Sequence, residues 1–209
     1  MDMALHTYSD LNAVQLDVLK ELGNIGAGNA ATALSSMLDH SIGLNVPEIR
    51  LLSYQEVTEA LGGPENMIVG IMLSLEGDLS GMMMFLLPRS FAHLTLNTLL
   101  GVSFYDFSSI DDMGYSAMKE VANIMASSYV NAISQLTGMR IQITVPDLCM
   151  DMAGAILSVP AIQFANVSDK IIFIADEFLC GEERAESHIL MIPDVASLEK
   201  LMAKLGVDR

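Results

Sequence analysis

Positive charge is what this sequence has least of. Its 209 residues include 26 Asp and Glu but only 10 Lys and Arg, a formal net charge of -16. A surface that neutralises phosphates along a nucleic acid or an anionic membrane needs the opposite balance, so neither is an expected partner. Cysteine is nearly absent as well. Cys149 and Cys180 stand without CxxC spacing and read as inert core thiols, with neither a disulfide nor a metal expected. His6, His40, His93 and His188 are scattered, with no partner at ligand spacing, so no zinc site is expected. There is no G-x-S-x-G, and so no sign of a nucleophile elbow. Long apolar runs are interrupted: IVGIMLSLEGDLSGMMMFLLP is broken by Glu76 and Asp78 before it reaches the ~18 residues a spanning helix needs. It reads as buried strands joined by a turn. The opening MDMALHTYSD has no basic stretch leading into an apolar core, which points to a cytoplasmic protein without a signal peptide.

What is present is apolar bulk and internal repetition. At 52% hydrophobic residues the chain can bury a substantial core. Glu21–Asn24 begins ELGNIGAGNAATAL, and Glu120–Asn123 begins EVANIMASSYVNAI, 99 positions later. At the same offset Pro47 falls on Pro146. Farther on, LPRSFAHLTLNTLLG matches IPDVASLEKLMAKLG at an offset of 105, so a six-residue insertion in the second half reconciles the two. The pattern predicts one duplicated unit, with internal repeats over 12–101 and 111–206 of a single domain spanning 1–209.

Each unit reads as a long helix, strands and a shorter helix. In the first, apolar periodicity predicts a helix over Leu16 to Met37, then a strand over Ile42 to Leu52 in which Pro47 demands an edge or a bulge. Met67 to Leu75 and Leu79 to Leu87 form a hairpin, and Pro88 leads into a helix from Arg89 to Leu99 closed by Gly101. In the second, Asp111 or Asp112 caps a helix running to about Leu136 and ended by Gly138, and Arg140 to Val145 forms the strand before Pro146. Met152 to Gln163 fits either a helix or a buried strand. Lys170 to Ala175 and His188 to Ile192 form the second hairpin, connected through CGEERAES, and Pro193 begins the final helix. No flexible linker is expected in Gly101 to Ser109. The fold class expected is α/β (α+β), with the duplicated helix-strands-helix unit forming one continuous, largely antiparallel sheet covered by helices and related by a pseudo-two-fold axis.

Helical geometry gives the repeated Glu-x-x-Asn its meaning. Asp17, Glu21, Asn24 and Gly28 share an arc about 60° wide, beside a face carrying Val14, Val18, Leu22, Ile25 and Ala33. Ser116, Glu120, Asn123 and Ser127 occupy the equivalent arc of the second helix, with Ala117, Val121 and Ile124 turned to the core. A carboxylate one turn from an amide can hold a water and a cationic group in fixed relation, while Gly28 and Ser127 leave room for close approach. The same residues also suit the ordinary exposed face of an amphipathic helix, and duplication alone can preserve them. GAGNAA, over Gly26 to Ala31, fits G-x-G-x-x-A but lies inside a helical pattern, not after a strand, so it does not signal a dinucleotide site. Gly23, Gly26, Ala27, Ala30 and Ala31 more simply let another helix pack close. Met82 to Phe85, MMMF, reads as adaptable core packing.

LKELGNIGAGNAATALSSML together with SAMKEVANIMASSYVNAI resembles the CheC family of chemotaxis phosphatases, over essentially the whole chain. The family pattern is an Asp or Ser, a Glu four residues later, an Asn three after that, and a downstream proline. It maps here to Asp17, Glu21, Asn24 and Pro47, and again to Ser116, Glu120, Asn123 and Pro146. The resemblance implies hydrolysis of the aspartyl phosphate of a CheY-type response regulator. On that analogy Glu21 or Glu120 binds the regulator's lysine, Asn24 or Asn123 positions the attacking water, and the regulator itself brings Mg2+, with no cofactor or metal on this chain. It further implies the receptor deamidase CheD as a second partner. A non-catalytic adaptor that binds CheD or a response regulator is the alternative, and a monomer is the expected state because the duplication supplies internally what a single-unit relative obtains by pairing.

Overall fold

A computed structural model describes residues 5–101, 110–180 and 182–207. Its two longest elements are helices whose ends are written locally. Helix α1 (Ala13–Leu38) starts from a reciprocal cap: the Gln15 N–H donates to Asn12 Oδ1 at 3.0 Å and the Asn12 N–H donates to Gln15 Oε1 at 2.9 Å. Helix α4 (Asp112–Thr137) is capped by Asp111, which accepts from the Gly114 N–H at 2.8 Å. It ends at Gly138, whose φ of 69° suits the left-handed stop. Of the two aspartates that could cap, Asp111 is the one used.

Strands β1 (Ile42–Leu44) and β2 (Glu48–Ser53) replace the single strand expected over Ile42 to Leu52. The break falls at Val46 and Pro47, because proline cannot donate to a ladder. Both pieces pair only with β7 (Lys170–Cys180), at the sheet edge, as Pro47 required. A short helix, α2 (Tyr54–Ala60), follows. It was not expected, although its signature is present in S-Y-Q-E: the Glu56 N–H donates to Ser53 Oγ, and the Ser53 N–H donates to Glu56 Oε2 at 2.7 Å. Strands β3 (Met67–Gly77) and β4 (Gly81–Leu87) make the expected hairpin, and α3 (Arg89–Leu100) ends at Gly101.

The second half follows the same order with β5 (Ile141–Ile143), β6 (Asp147–Met152) and α5 (Ala153–Gln163), then β7 (Lys170–Cys180), β8 (Glu183–Pro193) and α6 (Val195–Lys204). Here too a proline, Pro146, splits what one strand would have spanned. Of the stretch Met152 to Gln163, which fitted either a helix or a strand, all but Met152 is helical, with Pro160 tolerated inside it. At 11 residues against 7 for α2, α5 takes up most of the six-residue insertion. CGEERAES is not a long connection: pairing of β7 with β8 continues to Cys180 opposite Glu183. The expectation about Gly101 to Ser109 concerns 102–109, which lie outside the described residues.

All the pairings among the described strands are antiparallel, in the order β1-β7-β8-β4-β3-β5, with β2 also on β7 and β6 also on β3. The order is palindromic about the central β8–β4 pair, and each hairpin is flanked by the edge strands of the other half. The sheet is thus continuous and pseudo-two-fold, and neither half closes its sheet without the other.

Helices α1 and α4 lie side by side on one face. A Cβ placed on Gly26 would come within 2.5 Å of the Tyr129 ring, and one on Gly23 within 2.5 Å of Ile49 Cδ1, so the small residues allow the close packing expected of them. The buried side of α1 is Leu19, Leu22, Gly23, Gly26, Ala27, Ala30, Ala31 and Leu34. Of the apolar face read from sequence Leu22 is buried but Val14 is 60% exposed: the inward side is turned from that face, with the small residues Gly23, Gly26, Ala27, Ala30 and Ala31 lying between Leu19, Leu22 and Leu34. Helix α5 packs on the opposite face, where Ile156 fills the space above Gly70. Met82, Met83 and Met84 are buried, as expected of adaptable packing. The cysteines are free but not core thiols: Cys149 is exposed on the edge strand β6 and Cys180 is half-buried. An apolar neighbourhood in sequence does not bury a residue whose strand has no neighbour beyond it.

Two buried polar groups interrupt the sheet. Tyr129 donates its hydroxyl to Asp176 Oδ2 at 2.7 Å, while Asp176 Oδ1 and the Ser187 hydroxyl directly across the ladder have no partner among the described residues. Burial raises the Asp176 carboxyl to about 6 against the pull of the Tyr129 hydrogen bond. On the other face His188 stacks on Phe173, with Arg50 over the far ring. Burial, helped by the Arg50 charge, lowers it to about 4. Glu186, 3.8 Å away and well exposed, does not offset that.

Candidate functional site

Because the core side of α1 is settled by its small residues, the opposite side must face solvent, and that is where the motif lies. Asp17, Glu21 and Gly28 are exposed and Asn24 is half-exposed; on α4, Ser116 and Glu120 are exposed while Asn123 and Ser127 are half-exposed. Pro47 and Pro146 are buried. The structure therefore brings the four residues of each arc together on an open helix surface and places each proline at the corner of the edge strand beside its helix.

The chemistry on offer is sparse. Among the described residues, the Asn24 and Asn123 side chains have no hydrogen-bond partner, and neither Glu21 nor Glu120 forms an ion pair. An amide with both its donor and its acceptor free, one turn from a free carboxylate, is ready to hold something external. The arcs differ at their first positions. Asp17 is held by Lys20 at 2.9 Å, a residue the motif does not include, whereas the Ser116 hydroxyl donates back to the Asp112 carbonyl at 2.9 Å. Lys20 was not singled out from sequence, although an (i, i+3) spacing was there to find it. The first arc is also the more open, since nothing lies within 4 Å of a Cβ placed on Gly28.

No histidine or cysteine stands on either arc, and among the described residues no three His, Cys, Asp or Glu cluster as metal ligands. GAGNAA lies wholly within α1, where its backbone amides are spent on the helix and cannot cradle a phosphate. Among the described residues no helix is long and apolar enough to cross a membrane.

The continuous antiparallel sheet with two capped helices on one face recurs in solved structures. The chain superposes on Thermotoga maritima FliY with a TM-score of 0.75 at 22% identity, covering 96% of this chain and 100% of that one. On the FliM middle domain from H. pylori the TM-score is 0.69 at 18% identity, covering 93% and 99%. The model of the CheC-like family matches residues 14–50 and 113–150, the two spans that hold both arcs and both prolines. The CheY-P phosphatase CheC of Bacillus subtilis (strain 168) is 34% identical over 203 residues, 95% of this chain and 97% of that protein. The flagellar motor switch phosphatase FliY of the same strain is 25% identical over 138 residues, 66% of this chain and 36% of that protein. The chain belongs to the CheC-like family.

Proposed function

We propose that this chain is a phosphatase that hydrolyses the aspartyl phosphate of a CheY-type response regulator in chemotaxis signalling. The observation that carries the reading is the pair of arcs: in both family-matched spans an exposed Glu stands one helical turn from an Asn whose amide is unengaged among the described residues. A 34% identical relative named as a CheY-P phosphatase supports it.

In this reading Glu21 or Glu120 receives a lysine ammonium of the regulator and fixes its orientation. Asn24 or Asn123 then accepts from, and donates to, a water aligned with the phosphorus. Water attacks phosphorus, the bond from phosphorus to the aspartyl oxygen breaks, and the carboxylate leaves as orthophosphate forms. The regulator carries the Mg2+ that balances the phosphoryl charge, so the chain itself needs no metal. An acyl phosphate is already activated, so orientation of water supplies much of the rate without a nucleophile or strong base on the helix. CheD belongs to this reading as a further partner.

The test is the decay of a phosphorylated CheY-type receiver with and without the protein, beside Glu21/Asn24 and Glu120/Asn123 double variants. Faster decay that disappears only when both arcs are broken supports a two-site phosphatase. Unchanged decay in the presence of bound regulator rejects it in favour of the adaptor.

A further inference from the structure

The corner between the two edge strands of each half presents an apolar side chain to solvent. Val46 is 84% exposed and Val145 is 82% exposed, the two highest values among the exposed large hydrophobics of the described residues. Single exposed valines are common and need no account. These two occupy the same position in both halves, each immediately before the buried proline of the motif.

The segment that holds the corner also runs alongside the helix that carries the arc. On α1, Ser35 stands about five turns beyond Asp17 on the same line of the helix, and its hydroxyl accepts from the Ile42 N–H at 2.9 Å. At the other end of the segment Ile49 packs on Gly23. The chain from Ile42 to Ile49 therefore runs back along α1 from the level of Ser35 to that of Gly23. Val46 and Pro47 fall roughly level with Ala27 and Gly28, about one turn from Asn24 along the helix axis.

Neither valine is loose. The Asn45 N–H donates to the Glu177 carbonyl at 3.1 Å, and the Asn45 amide donates to the Glu177 carboxylate. In the second half the Thr144 N–H donates to the Ser74 carbonyl at 3.1 Å, and the Ser74 N–H donates to Thr144 Oγ1 at 2.9 Å. Each valine is thus fixed between a residue pinned to the next strand and a buried proline, yet gains almost no burial itself. Different residues, Asn45 and Thr144, do the pinning, while the exposed valine is common to both. An apolar side chain held rigidly outward loses little entropy on being covered, the property of an anchor residue.

We propose that Val46 and Val145 are docking anchors: each enters an apolar recess on the phosphorylated receiver beside its phosphoaspartate and sets the distance at which Asn24 or Asn123 meets the phosphoryl group. This rests on the phosphatase reading above and adds a determinant of affinity to it. Glu21 or Glu120 contributes the charged contact and the valine the apolar one, from opposite flanks of the amide.

The experiment measures initial rates of receiver dephosphorylation against receiver concentration for the full chain, the Val46→Ser/Val145→Ser variant, the Val46→Asp/Val145→Asp variant, and Ile162→Ser as a control. Ile162 is 79% exposed on α5, across the sheet. The serine variant is expected to raise KM roughly tenfold, the loss of one buried valine contact per site, with kcat within about twofold and the control unchanged. The aspartates are expected to raise it further. An unchanged KM, or a fall in kcat at constant KM, overturns the proposal. If the unaltered protein does not accelerate decay, the phosphatase reading fails, and binding of the beryllofluoride-activated receiver decides the docking claim separately. Weaker binding by the valine variants supports it, and equal or undetectable binding by all of them overturns it.

Discussion

Replacing Asp176 by Asn removes a carboxyl group whose burial raises its pKa from 3.8 to about 6. About 2 units at 1.36 kcal/mol each put the cost of ionising it in the folded state near 3 kcal/mol. Between pH 3.8 and 6 the folded chain keeps a proton that the unfolded chain has released, so this group makes stability fall as pH rises through that window. His188 does the reverse. Its pKa is lowered from 6.5 to about 4, so in that window the unfolded chain binds a proton that the folded chain refuses, and stability rises with pH by a similar ~3 kcal/mol. The two slopes oppose each other over nearly the same range and from opposite faces of the sheet. In Asp176→Asn only the histidine slope remains. The replacement keeps an acceptor for the Tyr129 hydroxyl and places a donor opposite the unpartnered Ser187 hydroxyl. Urea unfolding followed by far-UV circular dichroism at pH 4 to 8 reads the difference between variant and parent. That difference is expected to be near zero at pH 4 and to grow to about 3 kcal/mol in favour of the variant at pH 7 and above. A difference that does not vary with pH, or a parent more stable than the variant at pH 8, refutes the reasoning.

In the phosphatase assay, Asn24→Ala/Asn123→Ala is expected to lose receiver dephosphorylation while retaining receiver binding, whereas Glu21→Ala/Glu120→Ala is expected to weaken binding as well; titration of receiver binding separates the two. Gly26→Ala drives a methyl into the Tyr129 ring at 2.5 Å and is expected to cost about 1–3 kcal/mol, read as a lowered unfolding midpoint. Gly28→Ala meets open space and is expected to gain about 1 kcal/mol from helix propensity, so a loss there would show that the arc is not open. Ser53→Ala removes the cap of α2 and is expected to cost about 1 kcal/mol, with faster amide exchange confined to that helix.

Much of the site could be read from the chain before any folding. The bounds of α1 and α4 follow from Asn12 with Gln15, from Asp111 and from Gly138, contacts within a turn or so of each helix end. The arcs follow from a period that the backbone imposes on any helix. The prolines located the edge strands because a missing N–H has the same consequence wherever it falls. Tertiary structure decided the rest, and in each case the deciding contact is remote in sequence. Which side of α1 is inward depends on Tyr129 and Ile49, so Val14 misled where Leu22, Gly23 and Gly26 did not. Cys149 is exposed because β6 has no strand beyond it, and the interleaving of the hairpins depends on pairings across the whole chain. The buried Asp176, with one oxygen unpartnered, and Ser187 opposite it acquire their character only when β7 and β8 align them beneath α4. Likewise Val46 and Val145 are ordinary strand residues in sequence; only the pinned corners turn them outward. Capping and periodicity act within a few residues, whereas burial is a property of what the rest of the chain places alongside.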